Sequence, residues 1–490
     1  MKKILLSFLI TFCFISSNSQ SYYGQSWIMS IYGMNAKFSI NNIVIDTNGV
    51  SYNTGKPFWE EHANICDTNG NVHLISDGLN IYDRNGITIE DGDTLCSVYF
   101  YLDQNGYAHY SQAGIFLPMD SGKCYFVNVV STEKNIDSVW YGPQNNGKSS
   151  MDVLQYSIVD MYGNGGVGKV TKRTIPLLEN VKISKTQTMA CRHSNGKDWW
   201  LLKKALDSNN VYTFLVTQDS IYNKGIQRMP FAQNGKTDYA GQMMFNSDGT
   251  QMATTQIDRL GLVYLADFDR CYGTLSNFQQ ISVPTQTLGS EIDSTTIGVC
   301  FSPNGKFLYV SKYAHILQYN LQNKSWYHVS GIDTTDSFFA GYSLINVAHD
   351  GKLYIGNWHG TSMQMSVIDN PDGAGVNCNF CRKCFRSPKI VDGWLSNPPC
   401  MPNYGLGAKT CYPSLLNPPK EDLNTVEVYP NPASTKIVVR CQMSDVSKEL
   451  YNSVGQLILS TKENEIDVHN LSSGIYYLKV GIQTKKVVVE

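Results

Sequence analysis

Thirteen cysteines and nine histidines are the residues of this 490-residue chain with the widest chemical reach. Their spacing limits what they can do. Cys378, Cys381 and Cys384 follow a C-x-x-C-x-x-C pattern, with Cys400 and Cys411 downstream. Thiolates at that spacing are candidate metal ligands. Structural zinc, however, is usually held by two separated pairs or by one pair plus two histidines. No histidine stands between Cys378 and His469, and the nearest upstream is His359. Disulfides that clamp the irregular end of a domain are the favoured reading, with a metal site on the three cysteines and free thiols as the alternatives. His62, beside Glu60, Glu61 and Asp67, could serve general acid–base chemistry on a glycan. His193 stands just before a turn and near Asp198, Trp199 and Trp200. His62 and His193 are therefore the catalytic candidates. A lone histidine at a turn is more often a hydrogen-bonded packing residue, and His349 and His359 are read with the same caution.

Other motifs dissolve on inspection. Gly163-Asn164-Gly165-Gly166-Val167-Gly168 lacks the following helix that would face a phosphate, because Lys169-Val170-Thr171 reads as strand and Pro176 follows. A hairpin loop is expected there. Asp67, Asn69 and Asn71 alternate as in a calcium loop, but position twelve of that loop is Gly78, not an acid. His-Glu-x-x-His and Gly-x-Ser-x-Gly are absent. No cofactor is implied.

The elements that must position these residues repeat loosely along the chain. In the clearest unit, Val299–Ser302 is a strand, Pro303–Lys306 a turn, Phe307–Ser311 a second strand and Ile316–Tyr319 a third. The Asn304-Gly305 pair supplies the left-handed backbone of a tight hairpin. Equivalent turns are Asn69-Gly70, Ser121-Gly122, Asn195-Gly196, Asp248-Gly249 and Asp350-Gly351. Successive turn glycines are 52, 74, 53, 56 and 46 residues apart. Four-stranded propeller blades take roughly 40–50 residues. Six units show this turn; strand-like pieces at Trp27–Ile31 and Lys37–Ile45 would complete a ring. The expected fold is all-β: a seven-bladed β-propeller, with six blades as the alternative, followed by a small Ig-like β-sandwich. In the sandwich, strands are expected at Val426–Tyr429, Lys436–Arg440, Glu449–Asn452, Leu457–Ser460, Ile466–Val468, Ile475–Val480 and Lys485–Val489.

Composition agrees. Charged residues are 16%, below the usual ~25%, while 40 glycines and 30 tyrosines suit short half-buried strands and tight turns. With 39 basic against 41 acidic residues, the chain lacks the basic excess of a nucleic-acid binder. Lys2 and Lys3, the apolar run Ile4–Ile15 and Ser16-Ser17-Asn18-Ser19 have the order of a secretory signal peptide. Cleavage is expected after Ser19, and Phe12 is too large to precede a lipid-modified Cys13. No later stretch reaches the ~18 apolar residues of a membrane span, so no transmembrane segment is expected in the mature chain. The expected division is 1–19 signal peptide, 22–412 propeller, 413–424 linker and 425–490 sandwich.

Two stretches resemble known families. The C-terminal module resembles the type A sorting domain of type IX secretion cargo. The match is carried by Tyr429-Pro430-Asn431-Pro432, Leu450-Tyr451-Asn452-Ser453-Val454-Gly455, Gly474-Ile475-Tyr476 and the closing Lys485-Lys486-Val487-Val488-Val489. The resemblance implies export through the type IX machinery of a Gram-negative bacterium, via the periplasm, to the outer surface or the medium. The region Trp27–Lys409 resembles WD-repeat-like propellers of secreted and gliding-associated proteins. Ile65–Asn71, Asn80–Gly86, Tyr156–Met161, Arg192–Trp200, Asp267–Cys271 and Val367–Gly375 carry the match. Cys381 and Cys384 depart from that pattern. The resemblance implies a non-enzymatic binding or structural module for an unknown glycan, protein or matrix ligand. A propeller-type glycan lyase or hydrolase is the alternative.

Overall fold

A computed structural model of the chain separates into two compact units, residues 1–411 and 412–490. The first is described at residues 22–29, 34–40, 42–46, 62–105, 110, 112–140, 150–206, 210–231, 241–256, 261–288, 291–293, 295–331, 341–358, 364–386 and 397–411. The second is described at 426–440, 447–453, 455–480 and 483–490. The expected signal peptide, the expected linker and the residues Glu60, Glu61 and His359 lie outside the described residues.

The first unit is a propeller. Among its described residues are seven antiparallel meanders, five of four strands and two of three, and one two-stranded hairpin. In chain order the meanders occupy residues 26–46, 63–83, 114–178, 183–228, 243–282, 299–330 and 342–386. We number them sheets one to seven. Each strand pairs with its sequence neighbour, so each sheet is built from local chain reversals.

Every sheet packs on the next. Asn64 joins sheets one and two, its Oδ1 accepting from Ile28 N at 3.1 Å and its Nδ2 donating to Ser26 O at 2.9 Å. Asn128 Nδ2 donates to Gly78 O (3.1 Å) between sheets two and three. Trp199 Nε1 donates to Pro118 O (3.1 Å) between three and four. Gln187 Nε2 donates to Thr254 Oγ1 (3.0 Å) between four and five. Gln242 Oε1 accepts from Val299 N (2.9 Å) between five and six, and Ser311 Oγ donates to Ser343 O between six and seven. Sheets seven and one close the ring through packed rings, with the Trp27 and Phe38 centroids 5.6 and 5.1 Å from that of Tyr354. Buried amides thus satisfy backbone groups where neighbouring sheets meet, in an interior where an unpaired polar group would be expensive.

All six repeated turns expected from sequence join the first strand of a sheet to its second. Their glycines, Gly70, Gly122, Gly196, Gly249, Gly305 and Gly351, have φ between 70° and 78°, the left-handed region that other residues enter at a cost. The Gly163–Gly168 loop links Val153–Asp160 to the strand Lys169–Leu178, as a hairpin connection does.

Among its described residues the second unit is a sandwich of seven strands. One sheet holds Glu427–Tyr429, Lys436–Arg440 and Glu465–Asp467; the other holds Leu457–Thr461, Lys448–Asn452, Gly474–Val480 and Gln483–Val489. Period-two alternation buries Tyr476, Leu478 and Val480 of one strand against Ile437, Val439 and Leu450.

Candidate functional site

The glycine turns of sheets five, six and seven line one cavity of the propeller, and the turn of sheet four bonds to the segment beside it. Each begins with a residue whose carbonyl accepts the glycine N–H: His193 for Gly196, Asn246 for Gly249, Ser302 for Gly305 and Ala348 for Gly351. Asp67 does the same for Gly70 in sheet two.

His193 is part of this turn chemistry. Its Nδ1 accepts the Asn195 backbone N–H at 3.0 Å, and its half-buried ring lies 5.5 Å from that of Trp200. In the equivalent place, Asp67 Oδ1 accepts from Asn69 N at 2.8 Å and from Asn71 N at 3.0 Å. The alternating Asp67, Asn69 and Asn71 therefore build a turn. His62 sits elsewhere, just ahead of Ala63 in sheet two. It is 1% exposed, and its Nε2 donates to Ile28 O at 2.6 Å. Burial pushes its pKa down to about 4, against a smaller upward push from the Ile28 carbonyl. The ring is a neutral, buried cross-link between sheets one and two. The two histidines lie in different sheets.

The cysteine trio is likewise divided. Cys381 and Cys384 form a disulfide with each other, so neither offers a thiolate. Cys378 is buried, and that burial pushes its thiol pKa up. Among the described residues no three His, Cys, Asp or Glu side chains are placed to hold a metal ion. A second disulfide, Cys271–Cys411, joins sheet five to the end of the first unit. This is a clamp of the kind expected there, with a partner 140 residues upstream.

The segment Asn397–Cys411 ties several sheets together as a strap. Asn346 Nδ2 of sheet seven donates to Pro399 O (2.9 Å), and Cys400 N donates to His62 O (3.0 Å). Tyr404 OH donates to Phe116 O of sheet three (2.9 Å). Asn403 Nδ2 donates to Ser247 O of sheet five (2.9 Å), and Lys409 N to Ser194 O beside sheet four (2.8 Å). Two buried arginines finish the anchoring. Arg192, its guanidinium carbon 4.0 Å from the Trp199 ring centroid, donates to Tyr404 O. Arg270 donates to Arg192 O and to Gly407 O. Burial lowers the pKa of both, and the carbonyl oxygens aimed at them offset part of the desolvation.

A cavity of about 270 Å³ lies between the strap and the inner strands. Its walls are rich in sulfur, from Met189, Cys191, Met244, Cys300 and Met401, with Trp27, Phe245 and Phe301 adding aromatic surface. The polar residues of its wall are largely committed to the protein. Asn246 Oδ1 accepts from Gln251 N, Ser302 Oγ from Phe307 N, and Asn403 Oδ1 from Gly405 N. His349 is the histidine in the wall, and burial lowers its pKa. The described wall contains no Asp, Glu, Lys or Arg. It therefore suits an uncharged ligand with an apolar body.

Sequence reasoning missed the strap, Tyr404, Arg192 and Arg270 as a set. Arg192 and Arg270 fall inside stretches that the sequence singles out, but nothing local marks a guanidinium that will be buried against a segment more than 130 residues away.

In the second unit, the residues of the resemblance have structural work. Asn431 Nδ2 donates to Lys486 O and its Oδ1 accepts from Val488 N, both at 2.8 Å. The Tyr429-Pro430-Asn431-Pro432 entry is thereby fixed to the final strand. The Arg440 guanidinium lies 4.9 Å from the Tyr429 ring centroid. Gly455 takes φ 80° in a hairpin turn, Gly474 faces Val489, and Tyr476 OH donates to Ser472 O at 2.9 Å.

Comparison with known proteins adds the following. Residues 427–490 match the family described as secretion system C-terminal sorting domain. No curated protein matches the chain. Among solved structures, the periplasmic gluconolactonase PpgL of Pseudomonas aeruginosa is similar at 12% identity and TM-score 0.36, covering 84% of this chain and 95% of its own. The Dos1 propeller is similar at 8% identity and TM-score 0.37, covering 66% and 72%. A functionally unknown protein from Desulfotomaculum acetoxidans DSM 771 is similar at 11% identity and TM-score 0.29, covering 73% and 99%. At these TM-scores the likenesses carry no weight for function, and the propeller assignment stands on the sheet topology itself. Residues 427–490 are a secretion system C-terminal sorting domain, which directs the propeller ahead of it through type IX secretion to the outer cell surface or beyond.

Proposed function

We propose that the first unit is a seven-bladed, non-catalytic binding module, displayed on or released from the cell surface, whose ligand enters the cavity under the strap. A cleaved signal peptide at 1–19 and a linker at 413–424 complete this reading. The observation that carries it is the cavity wall: aromatic and sulfur side chains, with polar groups already bonded inside the protein. A propeller holds several loops rigidly around one axis, which makes a pre-formed concave site. An uncharged ligand with an apolar face fits such a wall, and one face of a neutral sugar residue of a glycan has that character.

Of the two catalytic candidates, His62 is sealed under Ile28 and His193 caps a turn. Neither lines the cavity, which supports binding over bond cleavage. The test is an array of neutral polysaccharides and matrix proteins probed with the secreted chain, scored for retention and for released product. Retention without product, reduced at least tenfold by Phe245→Ala, is expected. Product release that disappears in His62→Gln or His193→Asn would overturn the proposal in favour of a glycan lyase or hydrolase.

A further inference from the structure

The strap has two unlike halves. Up to Tyr404 it is held by burial: Cys400 and Tyr404 are each 4% exposed. Beyond Tyr404 the chain reads Gly405-Leu406-Gly407, and residues 407–411 are exposed. This outer half has no strand ladder. It is held by Arg270 on Gly407 O, by Lys409 N on Ser194 O and by the Cys271–Cys411 disulfide. Glycine on both sides of Leu406 gives the backbone freedom to swing.

Leu406 is what this half places over the cavity. It lines the cavity together with Cys191. A Cβ built on Gly249 would meet Cys191 Sγ at 2.6 Å and Leu406 Cδ2 at 2.7 Å, so the thiol and the leucine tip close on the same point. Cys191 is 2% exposed, and burial pushes its pKa up to about 12. It is a covered, unreactive thiol at the edge of the proposed site. The disulfide that tethers the cover is on the outside: Cys411 is exposed and Cys271 half-buried.

We propose that Gly405–Cys411 is a redox-latched lid on this cavity. With Cys271–Cys411 closed, Leu406 covers the opening. A dithiol reductant breaks that S–S bond, supplying two electrons and two protons to form two thiols while it becomes a disulfide itself. The lid then hinges at Gly405, with Tyr404 left in place as the inner anchor, and the opening widens. The lid deepens the binding reading above by giving that site a gate, and its operation is measurable with no ligand present.

The test is maleimide labelling of the full chain followed by peptide mapping, in three arms: untreated, pulsed with a dithiol that is then removed, and Cys411→Ser. Labelling of Cys191 is expected to rise at least tenfold in both the pulsed and the variant arms. Cys66 and Cys124, buried in sheets two and three and not part of the cavity wall, should stay protected in all three. The pulsed arm keeps the test decisive if the variant folds poorly. Unchanged protection of Cys191 overturns the lid. So does parallel labelling of Cys66 and Cys124, which reports opening of the ring itself. Gated Cys191 with nothing retained on the array overturns only the binding reading.

Discussion

His193 Nδ1 accepts the backbone N–H of Asn195 at 3.0 Å, the same bond that Asp67 Oδ1 makes to Asn69 two sheets earlier in the chain. An imidazole nitrogen here replaces a carboxylate oxygen as a turn cap. His193→Asn should therefore be nearly neutral, because Asn246 already begins the corresponding turn of sheet five. His193→Ala should lose about 1 kcal/mol, the net worth of one such hydrogen bond. Urea denaturation of the two variants beside the parent checks the difference, and ligand retention should be unchanged in both.

His62 gives the propeller a specific acid sensitivity. Its pKa is about 4 in the fold against 6.5 when exposed, so the unfolded chain binds the extra proton between those values. The stabilisation of the neutral ring is complete above pH 6.5, is lost progressively as pH falls toward 4, and changes no further below that. The whole swing is about 3 kcal/mol at 1.36 kcal/mol per pH unit. Unfolding free energies measured across this window should fall more steeply for the parent than for His62→Gln. Equal slopes would place the proton elsewhere.

The turns were legible in sequence because their chemistry is local. Asn-Gly, Asp-Gly and Ser-Gly pairs before an apolar run specify a left-handed residue and a strand, and all six fell between the first and second strands of a sheet. The sandwich strands were legible for the same reason, by period-two alternation. The strap was not. Asn397–Cys411 has no periodicity, and its meaning lies in partners such as Phe116 for Tyr404 and Cys271 for Cys411. Cysteine spacing alone leaves many pairings open, and the partner of Cys411 is a cysteine that sequence placed inside a blade. His193 shows the limit at the site itself: its neighbours Asp198, Trp199 and Trp200 suggest chemistry, whereas its nitrogen is engaged two residues away.

Export should depend on the fold of the sorting domain through Asn431. Its side-chain amide makes two hydrogen bonds between the entry loop and the final strand, beside the backbone pairing of Ala433 with Val488 and Glu490. Asn431→Ala removes the two together and should destabilise residues 427–490 by about 2 kcal/mol. Deleting 427–490 should leave the propeller in the periplasm, and Asn431→Ala should lower the exported fraction without abolishing it. Immunoblots of periplasm, surface and medium measure all three. Surface delivery of the deleted chain would show that another segment carries the address.

Two turn glycines separate backbone strain from contact with the strap. Gly305 and Gly249 have φ of 70° and 71°, so alanine at either incurs the same left-handed penalty of roughly 1–2 kcal/mol. Around Gly305 nothing lies within 4 Å of the added carbon, whereas at Gly249 it meets Cys191 Sγ, Leu406 Cδ2 and Arg270 Cδ at 2.6, 2.7 and 2.9 Å. Gly305→Ala should therefore show the backbone penalty alone. Gly249→Ala should add about 1–3 kcal/mol of overpacking if its neighbours stay in place. If instead Leu406 swings away, the extra loss shrinks and Cys191 becomes open to maleimide with the disulfide still closed. Thermal unfolding and thiol labelling of the two variants thus read opposite sides of one balance, the hold of the strap against the space it fills. Equal stability and equal Cys191 protection in the two would mean that Leu406 does not bear on the Gly249 turn.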